Sequence, residues 1–309
     1  MAEYVILSDS ACDLTKALRE RFGIADVVLG YLIYPDGHSE KANMDWENMS
    51  PAEYFGGMSD KKNLYRTQAP GPDEVATYFE PYLAKGKDVL FVALSSGISC
   101  IGNNGRLAGE LLKEKYPDRK VVVVDSLRYS TSLSQICIHA SALRDAGKTI
   151  EETAAWIEAN RTCFHEMGPL DDLFFCKRMG RVSGGAAVMG TLVGIKPMAD
   201  FDNEKGLSSV IGKARGYNKA FAATIGYMKQ TIVDPKEQIV FVAHSNRLEK
   251  AEKLAEMIRT EIGVKEIILN SVGQSCGASI GPGLVAAFYF GKPISDGLVE
   301  EKAILGALL

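Results

Sequence analysis

Apolar and polar positions in the first half of the chain alternate in a way that predicts strands followed by helices. Tyr4 to Leu7 is a short apolar run that opens into Ser8-Asp9-Ser10-Ala11-Cys12-Asp13. The helix after it stops at Gly23, where glycine suits a left-handed cap. Val27 to Tyr34 reads as one strand ending in the turn Pro35-Asp36-Gly37. Ser50-Pro51-Ala52-Glu53 has the form of a capping box with proline in the first turn of a helix. Arg66 to Pro72 is extended and proline-rich, and Asp73 to Leu83 is helical. Val89 to Leu94 reads as a buried strand, followed by Gly102-Asn103-Asn104-Gly105 and a helix beginning near Arg106. Val121 to Val124 is a further buried strand, ending in Asp125-Ser126, and a helix from Ser130 to Ala146 stops at Gly147. Such alternation predicts a parallel sheet covered by helices.

The second half has a different rhythm. A helix over Glu151 to Arg161 leads to the apolar run Leu173-Phe174-Phe175, the basic stretch Lys177-Arg178-Met179-Gly180-Arg181 and a small-residue helix from Gly184 to Leu192. Ile195 to Met198 and Leu207 to Ile211 read as paired strands around the turn Asp202 to Gly206. Ile239 to Ala243 with a charged helix, and Val264 to Leu269 with Gly281-Pro282-Gly283 ahead of an apolar helix over Leu284 to Phe290, read as two further strand-helix units. The expected class is α/β in two domains: a parallel-sheet domain over residues 1–150 and a mixed α+β domain over 151–309, with the boundary in the helical region 147–165. The apolar positions of Ile294 to Leu309 read as a C-terminal cap.

Composition narrows the function classes. A 309-residue chain that is 46% hydrophobic and 24% charged has enough apolar residues for real cores. Its net charge of −4 argues against broad binding to nucleic acid or acidic membranes. The chain contains no long uncharged apolar run and a strand pattern starts at Tyr4, so neither a membrane span nor a signal peptide is expected. Six scattered cysteines without a C-x-x-C pair suit reduced thiols and a cytoplasmic location. The four histidines show no ligand spacing, so no metal is expected.

Candidate chemistry centres on Leu94-Ser95-Ser96-Gly97-Ile98-Ser99, at the carboxyl end of a predicted strand. Its hydroxyls donate, Gly97 lets the backbone come close, and the next helix offers free amides, which together describe an anion site. Three other strands also end in polar residues, at Ser8-Asp9-Ser10, Asp125-Ser126 and His244-Ser245-Asn246. In open α/β sheets ligands bind at such ends. The stretch lacks the leading glycine of a G-x-S-x-G elbow, and neither Walker nor Rossmann glycine spacing follows the strands. An enzyme acting on a small anionic metabolite stays open in two forms, one hydrolase-like and pairing Ser99 with His244, the other using the Asp9 region, where Asp9 and Asp13 four apart suggest Mg²⁺ chemistry.

Taken together these motifs resemble the DegV family, whose members include the fatty-acid-binding subunit of bacterial fatty acid kinase. The landmarks run in order: Leu7 to Leu14, Arg66-Thr67-Gln68-Ala69-Pro70, Leu94 to Ser99, Val124-Asp125-Ser126, Gly180-Arg181-Val182-Ser183, Ile195-Lys196-Pro197, Lys213-Ala214-Arg215 and Gly281-Pro282-Gly283. The resemblance implies a non-catalytic protein that holds a long-chain fatty acid between two domains and needs no cofactor. A separate kinase subunit, which binds ATP, would phosphorylate the presented carboxylate. It implies head-group contacts from Ser99 and from the Arg66-Thr67 segment, with Ser96, Gly97, Ser279 and Arg215 as further candidates. Lys177, Arg178 and Arg181 are candidates for partner docking, and a lipid-responsive regulator without a kinase is the other non-enzymatic alternative.

Two positions depart from the family pattern. The usual threonine-serine-glutamine-proline is Arg66-Thr67-Gln68-Ala69 here, and the usual histidine before the G-P-G motif is Ser279. Either Arg66 pairs with the carboxylate, or Thr67 supplies the hydroxyl through a small register shift.

Overall fold

The computed structural model describes residues 3–183 and 194–309. The expected helix over Gly184 to Leu192 lies outside them. The chain forms two compact units: one from Met1–Asp45, Arg66–Arg161 and Gly273–Ser275, the other from Trp46–Tyr65, Thr162–Val272 and Cys276–Leu309.

The first unit is built on a parallel sheet. Its strands run in the order Asp26–Val28, Tyr4–Asp9, Asp88–Ala93, Val121–Asp125. The two middle strands are buried along their whole length, which is why they read as continuous apolar runs rather than alternating ones. Val5, Leu7, Phe91 and Ala93 join Val75, Phe79 and Ala108 from the helices Pro72–Leu83 and Ile101–Lys113 in one core.

Two expectations for this unit are corrected. The helix after the serine stretch begins at Ile101 rather than near Arg106, so the residues read as a loop are its first turns. Their glycines permit close packing on the sheet: a Cβ on Gly105 would stand 2.7 Å from Cδ1 of Phe91. The strand expected over Val27 to Tyr34 is two strands in two sheets, Asp26–Val28 and Tyr31–Ile33. The chain turns at Gly30, where a Cβ would meet the Gln68 carbonyl oxygen at 3.1 Å and Ser10 Oγ at 3.3 Å. Tyr31–Ile33 then pairs antiparallel with both Ser39–Lys41 and Arg66–Gln68.

The second unit holds a mixed sheet in the order Glu266–Ser271, Ile239–His244, Val285–Phe290, Phe164–Met167. The apolar run expected to be a helix is therefore the strand Val285–Phe290, antiparallel to both of its neighbours. A short apolar run does not reveal its period, and this one ends in the strand-favouring Phe288-Tyr289-Phe290. The paired strands extend further than expected, over Ile195–Asp202 and Leu207–Arg215. Met198, Phe221, Val242, Leu254 and Tyr289 share the core of this unit with Leu305 of the C-terminal helix Val299–Leu308.

The segment Trp46–Tyr65 carries the expected capping box: Ser50 Oγ accepts from Glu53 N, and Glu53 Oε2 accepts from Ser50 N. Asp200 is wholly buried in the second unit and accepts from Tyr227 Oη at 2.7 Å and from the amides of Glu166 and Phe201, while His165 Nδ1 lies 2.6 Å from it.

Candidate functional site

The serine stretch leaves the sheet at the carboxyl end of Asp88–Ala93 and turns into the helix Ile101–Lys113. Its backbone amides are occupied. Leu94 N donates to Asp9 Oδ2 at 2.7 Å, Ser95 N to the Arg128 carbonyl at 3.0 Å, and Ser96 N to Asp125 Oδ1 at 3.1 Å. Gly97 N donates to Ser95 Oγ at 3.2 Å, and Ile98 N and Ser99 N both donate to the Ser95 carbonyl, at 3.0 and 3.1 Å. The first helical amide, Ile101 N, donates to Ser99 Oγ at 3.2 Å.

Within the turn itself no amide is left over, and of the helix amides expected to be free Ile101 N is taken by Ser99 Oγ. From Leu94 to Ser99 each backbone N–H already has an acceptor within the protein. Ser95 is buried and serves as the internal hub of the turn. Ser96 is exposed and Ser99 half-buried, and among the described residues no acceptor takes the proton of either hydroxyl. What the turn offers a ligand is therefore a pair of O–H donors.

Arg66, Thr67 and Gln68 form an exposed edge strand. Thr67 pairs with Leu32, Arg66 with Ile33 and Gln68 with Tyr31, so Arg66 and Gln68 share one face and Thr67 takes the other. Among the described residues Arg66 has neither an ion pair nor a hydrogen bond from its guanidinium. Asn104, one turn into the helix after the serines, donates from Nδ2 to the Pro70 carbonyl at 2.8 Å and so ties the two segments together within this unit.

The remaining candidates lie in the second unit. Ser279 is half-buried in the helix Gln274–Ile280, and Arg215 is exposed at the end of Leu207–Arg215, paired with Ile195. His244 Nδ1 accepts the N–H of Arg247 at 3.4 Å, and burial pushes its pKa down. A histidine whose Nδ1 lone pair is engaged in this way is poorly placed to act as a general base through that nitrogen. Arg181 donates to the Met179 carbonyl at 2.8 Å, and the short helix Phe174–Arg178 carries Lys177 and Arg178.

Asp9 and Asp13 do not form a metal site, and among the described residues no group of acidic, histidine or cysteine side chains is arranged to hold a metal ion. Both carboxyls are buried, and desolvation pushes Asp9 up to about 6 and Asp13 up to about 7. Asp13 has left-handed backbone at φ 53° and accepts from the Ser130 hydroxyl and the Gly273 amide. The role of Asp9 and Asp125 as holders of the serine turn was not read from the sequence. The signal available was the recurrence of polar residues at neighbouring strand ends.

Comparison with known proteins decides the family. The DegV family model matches residues 3–292. The chain belongs to the DegV family. A DegV domain-containing protein of Clostridium perfringens is 33% identical over 296 residues, covering 94% of this chain and 98% of its own. One from Streptococcus pyogenes is 29% identical over 289 residues, with the same coverage. A DegV family protein from Thermus thermophilus, whose solved structure is described as fatty acid binding, superposes with a TM-score of 0.83 at 25% identity, covering 94% of this chain and all of that one. DegV from Bacillus subtilis, described as a fatty acid binding protein, superposes with a TM-score of 0.77 at 22% identity, a likeness of fold. The α/β architecture, a parallel sheet together with mixed and antiparallel sheets, is thus the DegV fold. Among the described residues no helix is long and apolar enough to cross a membrane.

Proposed function

We propose that this DegV protein binds a long-chain fatty acid, holds its carboxylate at the serine turn, and presents it to a separate kinase for conversion to an acyl phosphate. The observation that carries the reading is the donor inventory of the turn, in which the backbone amides are spent and the hydroxyls of Ser96 and Ser99 are left as donors. A carboxylate is acceptor-only and suits such a site. An acyl chain of ~14 methylenes at ~0.8 kcal/mol each contributes on the order of 11 kcal/mol gross before ordering costs, so the chain supplies affinity and the head group supplies direction.

Register favours Arg66 over Thr67 as the second head-group contact. A shift of one residue turns every side chain of a strand to its other face, and here three cross-strand pairs fix the register. The family's head-group threonine position falls on Arg66, whose guanidinium can hold a carboxylate with two parallel hydrogen bonds. Ser279 and Arg215 enter the reading from the family resemblance alone. The protein itself performs no chemistry in this scheme and needs no cofactor.

Mass spectrometry of the denatured protein purified from bacteria is expected to release a fatty acid, and Ser99→Ala is expected to retain less of it. No released lipid together with no uptake of added fatty acid would overturn the proposal. Co-purification with a fatty acid kinase subunit, and acyl phosphate formation in its presence, tests the presentation step. If fatty acid binds and no kinase couples to it, the reading reduces to a lipid-responsive regulator.

A further inference from the structure

Asp9 and Asp125 stand in a symmetrical relationship to the serine turn. Each is the last residue of a strand flanking Asp88–Ala93. Asp125 is registered directly on Ala93, and Leu7 on Phe91 puts Asp9 at the level of Ala93 from the other side. From these positions each carboxylate takes one amide of the departing chain, Leu94 N for Asp9 and Ser96 N for Asp125.

The geometry points to Asp9 and Asp125 as positioning residues that hold the turn so that its hydroxyls, not its amides, face the ligand. This inference deepens the fatty-acid reading and rests on it for the identity of the ligand. The two clamps differ in chemistry. Asp9 uses both oxygens, Oδ1 on Ala11 N at 2.9 Å and Oδ2 on Leu94 N at 2.7 Å. Asp125 uses one, Oδ1 accepting from both Ser96 N at 3.1 Å and Leu127 N at 3.0 Å. An asparagine at position 9 must aim its NH2 at one of the two amides, whereas an asparagine at position 125 keeps the single acceptor in place.

That asymmetry gives the test. Asp9→Asn, Asp125→Asn and Asp125→Ala are compared with wild type by hydrogen exchange of the amides of Leu94 to Ser99 and by affinity for a fatty acid against its methyl ester. Exchange is expected to speed up about tenfold in Asp9→Asn and Asp125→Ala and to stay near wild type in Asp125→Asn, as loss of a charge-assisted hydrogen bond predicts. The preference for free acid over ester is expected to fall by about the same factor in the same two variants. Unchanged exchange in both, or faster exchange with the preference intact, overturns the inference. If Asp9→Asn fails to fold, the half-buried Asp125 pair decides alone. A wild-type protein that binds neither ligand overturns the fatty-acid reading, while the exchange rates still decide whether the aspartates hold the turn.

Discussion

Thr67 lies directly across the strand pair from Leu32, which is fully buried, so these two side chains share a face that Arg66 does not. Directly opposed residues in an antiparallel pair project to the same side of the sheet. Arg66→Ala is therefore expected to weaken fatty acid binding about tenfold or more, the scale of a lost charge-assisted contact, while Thr67→Ala stays within about twofold. Titration with a fluorescent fatty acid measures both. Equal losses would show that the edge strand does not keep this register when ligand is bound.

Ser95 and Ser99, the second a proposed head-group contact, separate structure from binding within one turn. Ser95 is buried and its hydroxyl accepts the Gly97 amide, whereas the Ser99 proton is free of any acceptor among the described residues. Ser95→Ala is expected to lower stability by about 1 kcal/mol, seen as a lower urea midpoint with an unchanged slope. Ser99→Ala is expected to lose ligand with little change in that midpoint. A Ser95→Ala protein as stable as wild type would remove the turn's internal hub.

Helix glycines in this chain do two different jobs. A methyl on Gly105 would press on the Phe91 ring, with atoms at 2.7 and 2.9 Å, whereas a methyl on Gly306 meets nothing within 4 Å. Gly105→Ala is expected to destabilise by about 1–3 kcal/mol through overpacking. Gly306→Ala is expected to stabilise by about 0.5–1 kcal/mol through helix propensity. Denaturant midpoints of the two variants should move in opposite directions.

The buried acids Asp9 and Asp13 make stability depend on pH with an unusual sign. Burial holds their pKa values at about 6 and about 7, above the ~3.9 of an unfolded aspartate. The folded state thus binds protons more tightly, so this contribution is fully present below about pH 4 and is lost as pH rises through about 6 to 7. For Asp9 alone it is on the order of 3 kcal/mol. Asp171, whose carboxyl is held low by Lys196, Tyr217 and Arg247 despite desolvation, contributes in the opposite direction, losing stability only at more acid pH. Thermal unfolding between about pH 8 and about pH 5 should show Tm rising on acidification, and Asp13→Asn should flatten that rise. A Tm that falls steadily over the same range would contradict the buried-acid account.

Much of the architecture was legible because it rests on local rules. The strand at Tyr4, the strand ahead of the serine turn, the cap at Gly23 with φ 65° and the box at Ser50 all follow from composition and spacing that need no partner. The places where sequence reading failed share a cause. Gly102 and Gly105 look like loop residues until Ala93 and Phe91 beneath them require the missing side chains, and Gly30 looks like strand until Gln68 and Ser10 crowd it. The run ending in Phe288-Tyr289-Phe290 has no readable period and became a strand because Ile239–His244 and Phe164–Met167 supply hydrogen bonds on both sides.

The same division runs through the candidate site. The sequence by itself determined the family, the serine turn at a strand end and the presence of an arginine where a threonine is usual, because those are matters of residue identity and order. Only the tertiary structure decided which groups remain available to a ligand. Hydrogen bonding saturates, and Asp9 and Asp125, placed by the parallel register, together with the Arg128 carbonyl consume amides that the serine turn would otherwise present, all three groups being distant from it in sequence. That saturation leaves the hydroxyls of Ser96 and Ser99 as the donors of the turn without an acceptor among the described residues.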